Sequence, residues 1–215
     1  MLPLCTIASK KVKNGCDQMS NVNQILELAK QNNGVVTTSM VVGAGIPRGS
    51  LKYLSDAGLL ERTSRGVYTL PDAWEDEFVS AQSRYKKGIY SLDTALFLCD
   101  LTDRTPMRLN MSFPATYNLT NPKRDGILCR GSKEPYYGLG VTEKLTPGGN
   151  KVKCYSAERT LCDILKPSNH VDVQVITNAF KQYAARKEKN IPLLSEYAVI
   201  LHVEDRLRAY LEVLL

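Results

Sequence analysis

The sequence has no long apolar run: none of its 215 residues belong to a stretch that approaches the roughly 20 apolar residues of a membrane-spanning helix. The apolar stretch at the start, residues 1–8, is too short for a secretory signal. Lys10 and Lys11 also follow this stretch, whereas a signal carries its positive charge before the apolar segment. These absences predict a cytoplasmic protein that does not bind a membrane.

Histidine is scarce, and the cysteines are not arranged for metal binding. His170 and His202 are the only two histidines, and no pair among the 6 cysteines has the CxxC spacing. Zinc sites are built from clustered cysteines and histidines, so a zinc site has little support. The sequence predicts no metal and a chain whose cysteines stay reduced.

Catalytic signatures are missing as well. The turn 146–150 lacks the GxxxxGK[ST] spacing of a phosphate-binding loop. The nearest approach to a nuclease site is Glu143 next to Lys144, with Asp125 as a second carboxylate, and a magnesium site needs such carboxylates to converge. We therefore expect no enzymatic activity and no cofactor; a nuclease-like enzyme is the less favoured alternative.

The charge balance favours a polyanionic partner. The chain carries 28 Lys and Arg against 22 Asp and Glu, a formal net charge of +6. Both the segment up to Asp72 and the remainder have a basic excess, and the excess per residue is larger in the shorter first segment. A moderately basic protein of this kind suits nucleic acid as a partner.

The segment from Asn21 to Leu70 has the order of elements of a winged helix-turn-helix. A helical period ends at Asn32-Asn33-Gly34, and Thr37-Thr38 then provide hydroxyl caps for a second helix. Gly45-Ile46-Pro47 predicts a tight turn, after which a third helix with an apolar face ends at Gly58. Two β-prone arms with a Ser-Arg-Gly tip complete the pattern, and together these features predict a module that reads DNA.

The third helix is the predicted reading element, because its N-terminal half enters the major groove in this motif. With Leu51 and Leu54 facing the core, the other side chains of this helix point outward or lie on its flanks. Backbone or minor-groove contacts are expected from the hairpin, and a phosphate contact from the start of the preceding helix. The predicted DNA-binding residues are Thr38, Ser39, Arg48, Gly49, Ser50, Lys52, Tyr53, Arg62, Ser64 and Arg65. The alternatives are a solvated basic face or a winged helix that docks a protein.

The remaining chain predicts an α+β protein with a second, mixed α/β domain that ends in helices. Residues 1–19 are expected to be a flexible leader, 20–72 the winged domain, 73–88 a linker helix and 89–215 the second domain. Strands are predicted at 107–113, 127–129, 136–142 and 151–155, and Ser156 is predicted to cap a helix. Apolar stripes predict helices over the last fifty residues.

Four segments carry a further signal: Gly66-Val67-Tyr68, Tyr90 to Leu96, Leu101 to Pro106, and Tyr155 to Leu165. Their order resembles that in the AbiEi antitoxins of bacterial type IV toxin–antitoxin (abortive phage infection) systems. The resemblance begins near Asn21 and continues to the end of the chain.

The resemblance implies two functions. The winged domain would bind operator DNA in its own promoter and repress transcription. The second domain would counter a nucleotidyltransferase-like toxin without forming a stable complex. The alternative function is a transcriptional regulator, or a protein-docking winged-helix protein, with no antitoxin role.

Candidate residues for antitoxicity lie in two of these segments: Asp103, Arg104, Glu158 and Arg159. Each has a structural alternative. Asp103 and Arg104 suit a structural network in a turn, and Arg159 can either bind an anion at the helix start or pair with Asp163 four residues later. No dimerisation helix is evident, so we expect a monomer that assembles cooperatively on operator DNA.

Overall fold

A computed structural model describes the backbone of residues 8–214 and the side chains of residues 20–212. Its contacts divide the chain into two units. The first extends to Arg84 and also includes Pro147–Asn150, and the second comprises Tyr85–Thr146 and Lys151–Leu215. Helices and two separate sheets make the protein a mixed α+β structure, as the composition of elements in the sequence predicts.

The first unit contains three helices, a strand and a hairpin in the predicted order, followed by one further helix. Its three-stranded antiparallel sheet has the order β1-β3-β2. The elements are α1 (Ala8–Gln31), β1 (Val35–Thr37), α2 (Thr38–Gly43), α3 (Gly49–Asp56), β2 (Glu61–Ser64), β3 (Val67–Thr69) and α4 (Glu77–Arg84).

The apolar stripe of α1 forms the core of the first unit. Ile25 and Ala29 are fully buried, and α1 packs against α3 and β1. From α3, Leu51 and Leu54 enter the same core, as the helical period predicts. Thr37 caps α2 by accepting the Met40 N–H at 3.3 Å, and Gly58 has φ +70° just past α3, which is the left-handed position that glycine favours.

Helix α1 begins inside the segment predicted to be a leader, since its backbone is helical from Ala8. Residues 1–7 lie outside the described part of the chain. The flexibility of residues 1–19 and the domain boundaries at 20, 73 and 89 stay predictions.

The predicted linker helix 73–88 is shorter in the structure. Trp74 lies before α4 and is 94% exposed, so it does not belong to the apolar stripe that the sequence predicts. The reason is local: the carboxylate of Asp76 accepts the N–H groups of Phe78 and Val79 at 3.0 and 3.2 Å. An acidic side chain in this position starts a helix at the next residue.

The second unit holds a mixed five-stranded sheet with the order β6-β5-β4-β8-β7. The pairs β4–β8 and β5–β6 are parallel, and the other two pairs are antiparallel. The elements are β4 (Ile89–Tyr90), α5 (Leu92–Leu98), β5 (Asn110–Pro114), α6 (Thr120–Arg124), β6 (Leu128–Ser132), β7 (Val141–Leu145), β8 (Lys151–Tyr155), α7 (Ala157–Leu165), a 3-10 turn (Pro167–Asn169), α8 (Val173–Ala184), α9 (Ile191–Leu201) and α10 (Glu204–Leu214).

Helix α7 is the centre of the second unit. It packs against α5 on one side and against α8, α9 and α10 elsewhere. Eight of its nine residues are buried, and the ninth, Glu158, is half-buried. Ser156 caps α7 as predicted, since its side chain accepts the Arg159 N–H at 3.2 Å. The helical end of the chain is also as predicted.

Two strand predictions in this unit were imprecise. The alternation over 107–113 predicts a half-buried strand, but Met107 is fully exposed and four consecutive residues from Asn110 are buried. This strand lies between two others and buries both faces, with the Asn110 N–H donating to Thr94 Oγ1 at 2.8 Å. The strand predicted at 136–142 begins only at Val141, because Pro135 and Gly140 place residues 135–140 in turns.

Candidate functional site

Helix α3 has a polar, exposed face on the side opposite to its buried apolar face. Arg48 precedes the helix and makes no side-chain cap bond, and Lys52 and Tyr53 are exposed one turn further on. Gly49 is exposed between them, and a Cβ at this position would meet nothing within 4 Å. The start of α3 therefore combines accessible backbone with a guanidinium, an ammonium and a phenol.

Ser50 does not belong to this outer face. Ser50 is only 8% exposed, although the sequence predicts that it contacts DNA. Ser50 precedes Leu54 by four residues and thus lies on the same side of the helix as that core leucine. The prediction placed it on the flank of the helix, and the structure corrects it to the interior.

Thr38 also makes hydrogen bonds within the first unit. Its N–H and its Oγ1 both donate to the carbonyl of Gly66, at 2.8 and 3.3 Å. The bonds join the start of α2 to the two-residue turn Arg65-Gly66 of the β2–β3 hairpin, where Gly66 has φ +82°. Both donors of the half-buried Thr38 are therefore used within the unit, and its predicted phosphate contact stays a prediction, while Ser39 is exposed beside it.

The hairpin carries two exposed arginines, Arg62 and Arg65. Ser64 lies between them, but its hydroxyl oxygen is buried and has no hydrogen-bond partner among the described residues. The predicted outward position of the Ser64 hydroxyl is thus also corrected. Of the ten predicted DNA-binding residues, seven remain accessible, and we call them the basic set: Ser39, Arg48, Gly49, Lys52, Tyr53, Arg62 and Arg65.

The four candidate antitoxicity residues do not form one site. Asp103 and Arg104 are exposed in the loop between α5 and β5, where the Arg104 N–H donates to Thr102 Oγ1 at 3.2 Å. Glu158 and Arg159 are adjacent in α7, but they line different cavities of the second unit. Consecutive residues of an α-helix are rotated by about 100° around the helix axis, so the side chains of Glu158 and Arg159 point in different directions.

Glu158 lies at the wall of a cavity of about 710 Å³ that also includes Lys144 and Arg186. Its Oε1 accepts the hydroxyl of Tyr183 at 2.9 Å, and the Asn190 N–H donates to the same hydroxyl oxygen at 2.8 Å. Burial, followed by the hydrogen bond to Glu158, raises the pKa of Tyr183, so its phenol keeps the proton that it donates.

Arg159 is buried, with an exposed fraction of 3%. Its Nε donates to Asp163 Oδ2 at 2.9 Å, which is the pairing at i+4 that the sequence offers as one alternative. Lys166 Nζ reaches the other carboxylate oxygen at 2.9 Å, and the guanidinium lies 4.8 Å from the ring centre of Tyr155. Gly140 makes room for this arrangement, because a Cβ there would stand 2.7 Å from Arg159 Cβ.

Arg130 and Lys166 line the same cavity as Arg159 and were not singled out from the sequence. Arg130 is a lone arginine on strand β6, and Lys166 follows α7. Neither position belongs to a motif. The parallel pairing of β5 and β6 brings Arg130 to this cavity, and sequence spacing carries no signal of that long-range contact.

The carboxylates weighed for a nuclease site have other partners. Glu143 is exposed and pairs with Lys151 at 3.8 Å, and Asp125 accepts the hydroxyl of Tyr85 at 2.5 Å. Within the residues that the structure describes, no three His, Cys, Asp or Glu side chains are grouped so as to hold a metal ion. None of the helices in this described range is both long and apolar enough to span a membrane.

Residues 23–71 match a family model described as transcriptional regulator, AbiEi antitoxin. The resemblance to the AbiEi antitoxins is confirmed for this segment. It contains α2, α3 and the β2–β3 hairpin, and with them the whole basic set. The match covers less than a quarter of the 215 residues.

Comparisons over the whole chain add little. The crystal structure of the RV2827C protein from Mycobacterium tuberculosis is similar with a TM-score of 0.47 and 13% sequence identity, over 90% of this chain and 81% of that one. No curated protein matches the sequence.

Proposed function

We propose that the protein is an AbiEi-type antitoxin that also represses its own promoter, and that residues 20–72 act as a winged helix-turn-helix. In this proposal α2 and α3 are the helix pair and the β2–β3 hairpin is the wing. The supporting observation is the exposed basic set within the segment that matches a family of transcriptional regulators. Four of its seven residues are Lys or Arg, and none of those four is a member of a described ion pair.

The start of α3 is the proposed base-reading element. An arginine at the entrance of a recognition helix can donate two hydrogen bonds to the O6 and N7 atoms of guanine, which assigns that role to Arg48. Lys52 and Tyr53, one turn later, are suited to phosphates or base edges. Gly49 lets the helix backbone approach the groove, because it leaves open space where other residues carry a side chain.

The wing has a different role in the proposal. Arg62 and Arg65 lie on a hairpin whose tip is held to α2 by the two hydrogen bonds from Thr38 to Gly66. A tethered hairpin presents its arginines in a fixed position relative to the helix pair. Their contacts are expected to be with the phosphate backbone, which adds affinity for all sequences and fixes the register.

The second unit is proposed to supply antitoxicity against a nucleotidyltransferase-like toxin, without a stable complex. The support is the antitoxin description of the matched family. Asp103, Arg104, Glu158 and Arg159 remain candidates as separate positions rather than as one site. A monomer that assembles cooperatively on an inverted-repeat operator is the proposed DNA-bound form.

The test of repression is binding of the purified full-length protein to its own upstream DNA and to a scrambled duplex, at two salt concentrations. We expect the upstream sequence to be preferred by at least ~10³, within the range of specific DNA-binding proteins. Equal affinity for both duplexes would contradict operator recognition. Binding that does not depend on salt would instead favour a winged helix that docks a protein.

Gly49→Ala is the sharpest variant for this test. Beyond its chain neighbours and its own helix backbone, the new methyl group meets no atom within 4 Å, so the fold should be unaffected. In the DNA complex, however, a helix backbone that lies against the groove leaves no space for this methyl group. We therefore expect the operator affinity to fall about tenfold or more, which is 1.4 kcal/mol. The matched control is Gly43→Ala, a second glycine whose Cβ would also meet nothing within 4 Å. Equal losses in both variants would argue against close approach at α3.

Antitoxicity is tested separately, by rescue of bacterial growth when the toxin encoded alongside is expressed. Arg48→Ala should lose repression and keep rescue, because the proposal assigns the two functions to different units. Loss of both activities in a variant that remains folded would contradict this division.

A further inference from the structure

A cavity of about 370 Å³ in the second unit is lined by two residues, Ser91 and Arg159, that each hold a buried donor without a partner among the described residues. Its walls come from the end of β4, from β5 and β6, and from the buried face of α7 and the 3-10 turn after it. The side chains that decide its chemistry are Ser91, Ser112, Arg130, Arg159, Asp163 and Lys166.

Arg159 supplies the most informative group. It is 3% exposed, and its Nε is used by Asp163, yet its Nη1 is buried and has no hydrogen-bond partner among the described residues. A buried donor left unpaired costs about 1–3 kcal/mol, and more for a charged group. An unpaired buried group of this kind calls for an explanation, and a bound molecule that completes its hydrogen bonds is one.

A second buried donor belongs to another residue that lines this cavity, Ser91. Its Oγ is buried and, within the range described, also has no partner. Ser112, on the neighbouring strand β5, is 7% exposed, but its side chain is hydrogen-bonded to that of Tyr155. The unpaired donors are therefore the Arg159 N–H and the Ser91 hydroxyl, and a guanidinium with a hydroxyl is a donor pair that proteins use for phosphate oxygens.

The charge of the cavity also suits an anion. Arg130, Arg159 and Lys166 carry three positive charges, against the single negative charge of Asp163. That carboxylate is already bound on both oxygens, by Arg159 and by Lys166. Arg130 is held over the cavity by its bond from Nη1 to Asn169 Oδ1. The excess of about two charges equals the charge of a phosphate monoester near neutral pH.

We propose that this cavity binds the phosphate group of a small, mononucleotide-sized ligand. Its volume lies at the lower end of the range for small-molecule pockets, roughly 300–1,000 Å³, so it has room for more than a lone phosphate ion. Arg159 Nη1 and Ser91 Oγ bind the phosphate oxygens from inside, and Arg130 closes over them from the outer side. This site lies within the second unit and does not depend on DNA binding by α3.

The test uses the full-length protein and isothermal titration calorimetry at constant ionic strength. The probes are adenosine and uridine 5′-monophosphates, inorganic phosphate, and the two nucleosides without phosphate. We expect saturable binding of at least one monophosphate, about tenfold or more tighter than inorganic phosphate, and no binding of the nucleosides. Equal affinity for inorganic phosphate would overturn the mononucleotide part, and no binding of any phosphate would overturn the site.

Variants locate the binding. Arg159→Met can fail to fold, so the deciding variants are Arg130→Ala, which alters an exposed residue, and Ser91→Ala, which removes one buried hydroxyl. Each should weaken monophosphate binding by about tenfold or more. The matched controls are Lys133→Ala, an exposed cation of the same unit outside the cavity, and Lys52→Ala, on the proposed DNA surface. An equal loss in either control would overturn the assignment to this cavity.

Discussion

The two units differ in where they hold their charged side chains. In the first unit Arg48, Lys52, Arg62 and Arg65 are exposed around an apolar core cluster, and the buried carboxylate of Asp76 is bonded to backbone N–H groups and to Asn150. In the second unit Arg159 and Asp163 are paired inside the packing of α7, together with the buried polar side chains of Thr94, Asn110 and Thr160.

This difference separates two ways of using charge. Exposed cations add little to folding, so their clustering on a helix start and a hairpin points to a partner outside the chain. Buried charges must be compensated within the protein or by a ligand, because the loss of hydration is costly. In the first unit the candidate functional groups are therefore the exposed cations. In the second unit they are the buried polar groups that have no partner among the described residues.

The largest expected effect of this contrast is on stability. Arg159→Ala leaves Asp163 with only the half-buried Lys166 as an ionic partner, and breaking a buried pair in this way costs about 3–5 kcal/mol. Arg48→Ala, at an exposed position, should change stability by no more than about 0.5 kcal/mol. Hydrogen exchange resolved by peptide measures the two units separately. Similar effects of the two changes would remove the distinction between the units.

The buried thiol of Cys162 should make the stability of the second unit depend on pH. It is fully buried, its thiol donates to the Leu194 carbonyl at 3.6 Å, and burial raises its pKa to about 12. The unfolded thiol titrates near pH 8.5. Because the folded pKa is the higher one, this stabilisation is complete below about pH 8.5 and is lost as the pH rises toward 12.

Between pH 8 and pH 10 the second unit should therefore lose about 2 kcal/mol from this thiol. Cys162→Ala lowers stability at every pH by removing a buried group, but it should flatten the slope over this range. Cys129→Ala serves as the matched control: burial also raises the pKa of this half-buried thiol, but less than that of Cys162, so its removal should flatten the slope less. An unchanged slope in the Cys162 variant would show that its thiol ionises without a folding cost.

Much of the first unit could be predicted from the sequence, because its signals are local. The stripe of α1, the cap at Thr37 and the left-handed Gly58 each depend on residues a few positions apart, and all three are present in the structure. Ser50, Ser64 and Thr38 show the limit. Whether a polar side chain faces solvent or joins the fold depended on Leu54 beside it and on Gly66 across the hairpin.

Less of the second unit could be predicted from the sequence, because its structure depends on contacts between residues far apart in the chain. Strand β5 is buried on both faces with Asn110 and Ser112 inside, so alternation of apolar and polar residues misplaced its start. Strand β4 has two residues, too few for a pattern, yet it joins β5 to β8. The approach of Arg130 to Arg159 results from this strand order, which no local period encodes.

The basic set permits a comparison within the first unit. Arg48→Ala and Lys52→Ala should each weaken operator binding by roughly 1–3 kcal/mol, with a loss of sequence preference for Arg48 in particular. Lys30→Ala is the matched control, since Lys30 is an exposed cation of the same unit that pairs with Glu27 on α1. Fluorescence anisotropy with a labelled operator measures all three. If Lys30→Ala costs as much as the others, α3 has no special place in DNA binding.

The smallest expected effect concerns Arg62 and Arg65 on the hairpin. If they contact phosphates only, Arg62→Ala and Arg65→Ala should weaken binding to operator and scrambled DNA by the same factor. Each lost phosphate contact should also reduce the slope of log affinity against log salt by about 1, since fewer counterions are released. Measurement between about 50 and 200 mM salt covers the range in which this slope is steep. A loss confined to the operator would instead make the hairpin a reader of sequence, and the exposed charge of the first unit would then serve specificity from both α3 and the hairpin.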